Sequence, residues 1–271
     1  MKQIFCKKSI KKSKNSALKI WNQHNFLFEY CAETTIEKIL EVKKKFQNIL
    51  IISSDKNEIY NKIKEINYQN LIFVSQYDEI IKKLEIDNKR NFKVIQDFEN
   101  LSLTKNKFDL IICNLCLHRI NDVKEFCRKI KNFSSLDGLV VFSYFGGKSL
   151  YELRQSFIHA DQILKKGFYQ RIIPFIDMLD ITNIFTAVGF NEIVSDVIKL
   201  KIKFKNQKSL LLDIKGMGEN NNLYDRFKGC YSKKFFKQSE LFYKKNFSDE
   251  NNNLIASCDI IFLVMWNNKT S

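Results

Sequence analysis

Four places in the first half of the chain carry side chains that could bind a ligand or move a proton. They are Ser53 to Asp55, Ser75, Asp97 and His118. Hydroxyl, carboxyl and imidazole groups donate and accept hydrogen bonds, and a histidine also exchanges a proton near neutral pH. Each follows or ends an apolar run, so the chemistry open to them depends on whether the fold brings these runs together.

The apolar runs alternate with helical patterns, which is typical of βαβ units. Runs of strand length are Ile49 to Ile52, Leu71 to Val74, Phe92 to Ile95, Phe108 to Leu117 and Leu139 to Phe142; helical patterns cover 34–46, 56–66, 78–84 and 123–130. The sequence therefore predicts an α/β fold with a doubly wound, mostly parallel sheet. Ligands of such sheets bind beyond the carboxyl ends of the strands, so the polar positions and Leu117 are predicted to share one edge.

The second half of the chain follows a different pattern. Helices are predicted at 149–164 and 177–188, an alternating strand at Val197 to Phe204, and a closing antiparallel strand at Ile255 to Met265. Residues 205–253, between these strands, are polar and aromatic and predict a helical cap inserted over the site. Because no stretch has the composition of a linker, we expect residues 1–271 to form a single domain.

Composition limits the partners. The formal net charge is +15, but only six of the 45 basic residues are arginine and the lysines are spread along the chain, which argues against nucleic acid. An acidic protein partner remains compatible. The longest apolar run, Ile260 to Trp266, is too short to span a membrane. We expect a cytoplasmic protein whose seven cysteines are reduced.

The run Phe108 to Arg154 resembles class I S-adenosylmethionine-dependent methyltransferases, whose sheet is Rossmann-like. FGGKSLYELR at Phe145 to Arg154 and DIKGMGENN at Asp213 to Asn221 are similar to one branch in particular. That branch holds the malonyl-acyl-carrier-protein O-methyltransferase of biotin synthesis and the mitochondrial complex I assembly factor that hydroxylates an arginine. The likeness covers most of residues 108–266.

The resemblance implies S-adenosylmethionine as cofactor and assigns residues to it. Asp97, with Glu99 and Leu101, matches the family's third-strand motif, which implies that Asp97 approaches the adenine amine. The implied cofactor-binding residues are Ser53, Asp55, Ser75, Asp97, Phe98 and Leu117, and the implied acceptor-facing residues are His118, Tyr151 and Arg154. The implied acceptor is an acyl group on a carrier protein or a side chain of a respiratory complex subunit.

The sequence departs from the family at the first two strand ends. All eight glycines lie at or beyond Gly138, so Ser53, Ser54 and Asp55 stand where a glycine-rich turn is expected, and Ser75 stands where an acid would bind the ribose. A serine in a glycine conformation costs about 1 to 2 kcal/mol, and a lost charge-assisted bond roughly 1.5 to 3 kcal/mol. Together these amount to roughly two to three orders of magnitude in affinity.

Three functions therefore stay open on sequence alone. The first is methyl transfer, the second is an assembly or scaffold role in which the cofactor site has decayed, and the third is arginine hydroxylation. His118 suits either an acceptor-orienting role or an ordinary loop contact. Cys113 and Cys116 fall inside a predicted strand and would point to opposite faces, so no metal site is predicted.

Overall fold

The computed structural model describes residues 3–86, 90–103, 107–164, 167 and 169–268. Within these ranges the chain forms one seven-stranded sheet. Its strands are β1 Asn48–Ser53, β2 Asn70–Ser75, β3 Asn91–Ile95, β4 Phe108–Asn114, β5 Ser134–Gly146, β6 Asn191–Phe204 and β7 Leu254–Trp266. The longer helices are α1 Lys7–Ala17, α2 Phe26–Leu40, α3 Glu58–Lys62, α4 Asp78–Lys83, α5 Val123–Phe133, α6 Tyr151–Ile163, α7 Met178–Ala187, α8 Gln207–Gly216 and α9 Lys233–Phe247.

The order of the strands across the sheet is β3-β2-β1-β4-β5-β7-β6. The first five are parallel, and β7 runs antiparallel between β5 and β6. Strands β2 and β3 are added on one side of β1, and β4 and β5 on the other, which is the order of a doubly wound sheet. Because these five strands are parallel, their carboxyl ends lie along one edge. The predicted fold class, including the antiparallel last strand and the helices inserted before it, is confirmed.

Helices cover both faces of the sheet. On one face, the ring of Phe142 contacts those of Phe126 in α5 and Phe185 in α7, with centroids 6.2 and 4.9 Å apart. Phe145 points to the other face and meets Phe28 of α2 at 6.2 Å. This two-sided cover explains why the central strands read as continuous apolar runs.

Several boundaries differ from the sequence prediction. β5 and β6 begin at Ser134 and Asn191 and not at Leu139 and Val197. β4 ends at Asn114 and not at residue 117, because Leu115 adopts a left-handed backbone with φ of 49° and a short 3₁₀ turn follows at Leu117–Arg119. Cys116 therefore lies beyond the strand, and the prediction that Cys113 and Cys116 point to opposite strand faces is wrong. The predicted helix at 34–46 is α2, which begins earlier and ends at Leu40.

Helix α1 was not predicted. Its buried face carries Ile10, Lys14 and Ala17, so only two apolar side chains mark it in a lysine-rich segment. Across the described ranges, no helix has both the length and the apolar character needed to cross a bilayer.

Candidate functional site

The ends of β1, β2 and β4 meet through a buried hydrogen-bond network. The Ser75 hydroxyl donates to the Ser53 carbonyl at 3.0 Å, and the Ser53 hydroxyl donates to the Asp55 carboxyl at 2.6 Å. The Asn114 amide donates to the same Asp55 oxygen, Oδ2, also at 2.6 Å. The structure thus brings together three of the predicted residues and adds Asn114, which ends an apolar strand with a polar side chain.

Asp55 lies inside the turn where glycine was expected, and its side chain is fully buried. Burial, together with the nearby charge of Glu58, raises the pKa of this carboxyl from 3.8 to about 7, although the bonds from Ser53 and Asn114 oppose the shift. Its other oxygen, Oδ1, has no hydrogen-bond partner among the described residues. A side chain therefore fills the turn after the first strand.

The third-strand acid is paired with a lysine of α1. Lys7 Nζ donates to the two oxygens of Asp97 at 3.0 and 2.8 Å and also lies 2.5 Å from Glu99. Asp97 in addition accepts from the Glu99 amide at 2.8 Å and begins a short 3₁₀ turn. The neighbouring Phe98 is buried against Tyr77, with ring centroids 6.2 Å apart. The carboxylate assigned to an adenine amine is thus bonded within the protein.

Helix α1 lies along this edge and is held there by the ion pairs of three lysines on one of its faces. Lys7, Lys11 and Lys14 follow one another at helical spacing and pair with Asp97, Asp78 and Glu219, the last two at 2.5 and 3.2 Å. The side chains of the first two pairs are about one third to one half exposed, whereas Lys14 is fully buried. The lysine spacing in the sequence was the observation that could have predicted this helix.

Glu219 collects three nitrogen-bearing side chains. Arg119 donates to its Oε2 from Nε and Nη2 at 2.9 and 2.7 Å, His118 Nε2 lies 3.0 Å from the same oxygen, and Lys14 lies 3.2 Å from Oε1. Burial alone would raise the pKa of Glu219, but the charges of Arg119 and Lys14 hold it well below its usual value. The carboxyl is therefore ionised.

His118 is buried beside this carboxylate. Burial lowers the pKa of its imidazole, so the ring is neutral at neutral pH and donates its Nε2 proton to Glu219. Its Nδ1 has no partner among the described residues, and neither does Nη1 of Arg119. His118 also packs on Phe145, with ring centroids 5.1 Å apart. In this arrangement Nδ1 is the nitrogen left to accept a hydrogen bond.

Tyr151 and Arg154 lie apart from His118. Tyr151 is 45% exposed and packs edge-on against Phe247 of α9. Arg154 donates to the Ile173 carbonyl at 3.2 Å and lines a small cleft beside α6. Neither residue bonds His118 or Glu219, so the structure does not gather the three predicted acceptor-facing residues around one point, and their catalytic roles stay predictions.

A larger cavity opens between α6, α8, the last two strands and the start of α2. Its volume is about 280 Å³, and most of its wall is apolar, including Leu153, Phe157, Ile202, Leu210 and Ile214. Glu219 and Arg171 are among the few charged groups on this wall. None of the six predicted cofactor-binding residues lines the cavity. Glu219 therefore lines the cavity and also bonds Lys14, His118 and Arg119 beside the strand ends.

Arg171 fastens the cap to α6 at the side of this cavity. Its guanidinium donates two bonds to Asp161, at 2.7 and 2.6 Å. Four aromatic rings surround it with centroids 4.3 to 5.2 Å away, namely Tyr169, Phe227, Tyr231 and Phe235. A bidentate ion pair within an aromatic cage is among the stronger contacts an arginine can make. The sequence analysis did not single out this residue.

No group of three or more His, Cys, Asp or Glu side chains in the described part of the chain is arranged to hold a metal ion. Burial raises the pKa of the Cys113 thiol well above its ordinary value. This cysteine is therefore a buried core residue whose thiol keeps its proton at neutral pH.

Comparison with known proteins fits this architecture. Residues 23–195 match the family described as "Methyltransferase domain". The chain belongs to this methyltransferase family. It is 33% identical over 198 residues to the methyltransferase RP459 of Rickettsia prowazekii, covering 72% of this chain and 85% of that protein. It is 24% identical over 245 residues to the mitochondrial arginine-hydroxylase NDUFAF5 of Danio rerio, covering 90% of this chain and 76% of that protein.

A third relative is a malonyl-[acyl-carrier protein] O-methyltransferase of Ilyobacter polytropus, 31% identical over 170 residues and covering 63% of this chain and 60% of that protein. Among solved structures, YcgJ of Bacillus subtilis has a TM-score of 0.59 at 13% identity, covering 88% of this chain and all of that one. Phosphoethanolamine N-methyltransferase 2 of Haemonchus contortus, solved in complex with S-adenosyl-L-methionine, has a TM-score of 0.51 at 16% identity, covering 92% of this chain and 53% of that one. The class I methyltransferase fold expected from the sequence is confirmed.

The methyltransferase family and fold support binding of S-adenosylmethionine in general, and the strand ends of this chain differ from those expected of such a site. An adenosyl group needs close approach to bare backbone and free polar groups at this edge. Here the hydroxyls of Ser53 and Ser75 and the carboxylate of Asp97 are bonded within the protein, and the buried Asp55 side chain fills the turn. With α1 in its observed position, Asp97 is paired with Lys7, and Ser53, Ser75 and one oxygen of Asp55 bond one another, whereas Asp55 Oδ1 keeps no partner among the described residues.

Proposed function

We propose that this chain is a methyltransferase-family protein that works without S-adenosylmethionine, as an assembly or carrier-binding protein. Its apolar cavity would hold an apolar group presented by a protein partner, either an acyl chain on a carrier or a hydrophobic side chain. The observation that carries the proposal is the contrast at Glu219: on one side the polar edge is closed by the chain's own bonds, and on the other side the apolar cavity is open.

The cavity wall, the net charge and the name of one relative support this proposal. The cavity wall is built from helices and strands, which hold it open, and its polar groups are few, as in sites that bind an apolar ligand. The net charge of +15 favours an acidic partner through long-range attraction. One relative is named as a methyltransferase of a malonyl group on an acyl-carrier protein, which is a protein-borne substrate.

The first test is the cofactor. A ligand present at a hundred times its dissociation constant adds about 2.7 kcal/mol to the stability of the native state. We expect the melting temperature of the wild-type protein to stay unchanged with millimolar S-adenosylmethionine or its demethylated product. A clear upward shift would overturn the proposal and would favour methyl transfer as the activity of the chain.

The second test is the cavity. We expect octanoyl-pantetheine to bind the wild-type protein and to displace a fluorescent apolar dye from it. Ile214 lines the cavity on α8, so Ile214→Trp should abolish this binding by filling the space. Leu212 lies on the same helix but is exposed and does not line the cavity, so Leu212→Trp is the matched control and should bind normally. Equal binding by both variants would contradict the cavity as the site.

Methyl transfer is the second candidate, and one observation favours it. Asp55 Oδ1, His118 Nδ1 and Arg119 Nη1 are buried at the edge without a partner among the described residues. Buried polar atoms of this kind usually bond a water or a ligand. Intact-mass analysis of a carrier protein or respiratory subunit after incubation with this chain and S-adenosylmethionine would detect it. A gain of one methylene marks methylation, and a gain of one oxygen marks hydroxylation.

A further inference from the structure

A fully buried lysine lies at the edge of the sheet in surroundings that could bind a free cation. Lys14 Nζ donates to the Met217 carbonyl at 2.9 Å and lies 3.2 Å from Glu219. The ring centroids of Phe28 and Trp21 lie 4.5 and 4.9 Å from the same nitrogen. We propose that these four groups form a binding site for a primary ammonium ion, and that the chain fills this site with its own Lys14.

The surrounding groups match the chemistry of an ammonium ion. Such an ion has three N–H bonds and no acceptor, and here it meets one carbonyl oxygen, one carboxylate and the faces of two aromatic rings. The Trp21 ring is held in place because its Nε1 donates to Glu58 at 2.5 Å and its face packs on Phe28, with centroids 4.7 Å apart. The rings are therefore oriented independently of Lys14, as the walls of a ligand site must be.

The cap contributes the other half of the site through a close backbone approach. Met217 and Glu219 flank Gly218, whose φ is 72°; a Cβ on Gly218 would lie only 3.0 Å from Lys14 Cα. Only glycine allows the segment Met217–Glu219 to lie this near to α1 in this conformation. The loop that follows α8 therefore lies directly against α1 at Lys14, which brings the Met217 carbonyl and Glu219 within reach of the ammonium group.

Charged groups on the segments around Lys14 affect its pKa. Glu219 and Asp55 favour the ammonium form, whereas Arg119 opposes it, and burial lowers the Lys14 pKa. The aromatic rings and the Met217 carbonyl compensate part of the desolvation. A cation at this point thus holds α1 to the cap beside the strand ends, although α1 and this part of the cap lie more than 200 residues apart in the chain.

The inference goes beyond the proposed function and is tested without any adenosyl compound. Lys14→Ala removes the ammonium group and leaves space for propylammonium, which reproduces the missing atoms. We expect the melting temperature of this variant to fall by roughly 10 °C, since one partner of a buried ion pair is lost. Millimolar propylammonium chloride should recover at least half of the fall, and propan-1-ol, its neutral counterpart, should recover none.

Two controls keep the test decisive. Lys11 lies on the same helix in a half-exposed pair with Asp78, so Lys11→Ala should melt near the wild-type temperature and should not respond to propylammonium. Lys14→Met replaces the stem of the side chain up to the ammonium group without its charge, and we expect the cap of this variant to become sensitive to protease. Equal effects of propylammonium and propanol on Lys14→Ala, or wild-type melting and cap protection in Lys14→Met, would overturn the ammonium site.

Discussion

The edge of the sheet and the apolar cavity lie on either side of Glu219. The polar groups of the edge bond one another, whereas the walls of the cavity leave an open space. At the edge, hydroxyl, carboxyl and ammonium groups bond one another, and a turn without glycine carries its side chains into the space beyond the first strand. In the cavity, apolar side chains on helices and strands enclose a volume of about 280 Å³. Polar groups can satisfy one another by small rotations, whereas apolar walls held by helices and strands cannot close without moving the backbone.

A polar ligand site and an apolar one depend on different residues. A few substitutions at strand ends are enough to close a polar site, because each new side chain supplies its own hydrogen bonds. The cavity depends on the relative positions of α6, α8 and the last two strands, which the Arg171 cage and the Glu219 cluster fasten. Substitutions at Glu219, Asp55 and Arg171 therefore test the edge and the cavity separately.

The largest effect is expected at the boundary itself. Glu219→Gln leaves Lys14 and Arg119 buried without a counter-charge, and breaking a buried ion pair in this way costs about 3 to 5 kcal/mol. Urea unfolding should give that loss in the free energy of unfolding. Glu240→Gln, which removes an exposed pair with Lys244 on α9, should change it by less than about 0.5 kcal/mol. Similar losses for both variants would show that the cluster is not the fastening point.

The next effect should have the opposite sign and depend on pH. The pKa of Asp55 rises from 3.8 to about 7 on folding, so between these values the native state holds a proton that the unfolded state has released. Its contribution therefore destabilises the protein increasingly as the pH rises through this window, and the penalty is complete above it. Asp55→Asn should stabilise the protein by roughly 1 to 4 kcal/mol at about pH 8 and by little at about pH 4.

Asp78 provides the matched comparison for that variant. Lys11 lowers the Asp78 pKa, so Asp78→Asn should weaken the protein slightly near neutral pH and lose that effect in acid. Chemical denaturation of both variants and the wild type at each pH measures the difference. If Asp55→Asn were destabilising at high pH, the buried carboxyl would be stabilising the edge as a charged group, and the closed-edge interpretation would fail.

The smallest effect is expected beside the cavity. Arg171→Lys keeps the charge next to Asp161 but loses the second hydrogen bond and the stacking on four rings, and we expect a loss of about 1 to 2 kcal/mol. Limited proteolysis should then cut the cap on the N-terminal side of α9, while the strand ends stay protected. Arg128→Lys, in an exposed pair on α5, serves as the control and should leave the cap protected. Cleavage at the strand ends first would contradict a role in fastening the cap.

Most of the fold followed from periodicity. The runs of β1 to β4 were predicted within a few residues because parallel strands covered on both faces must be apolar along their whole length. For β5 only the central part was predicted, and β6 was recognised from its alternation. Helix α1 escaped because its buried face includes a lysine, and sequence patterns count a lysine as exposed. The shared edge was predicted from the topology of the sheet, and Ser53, Asp55 and Ser75 do lie together there.

The sequence by itself determined the order of strands and helices, the absence of glycine from the first turn and the polar residues at the strand ends, since all of these are local properties of the chain. Only the tertiary structure decided which groups those residues bond. Lys14 and Glu219 are 205 positions apart, and Arg119 and Glu219 are 100 apart. Burial changes the charge of such groups once they meet, so their protonation, and with it the closed edge beside an open cavity, exists only in the folded protein.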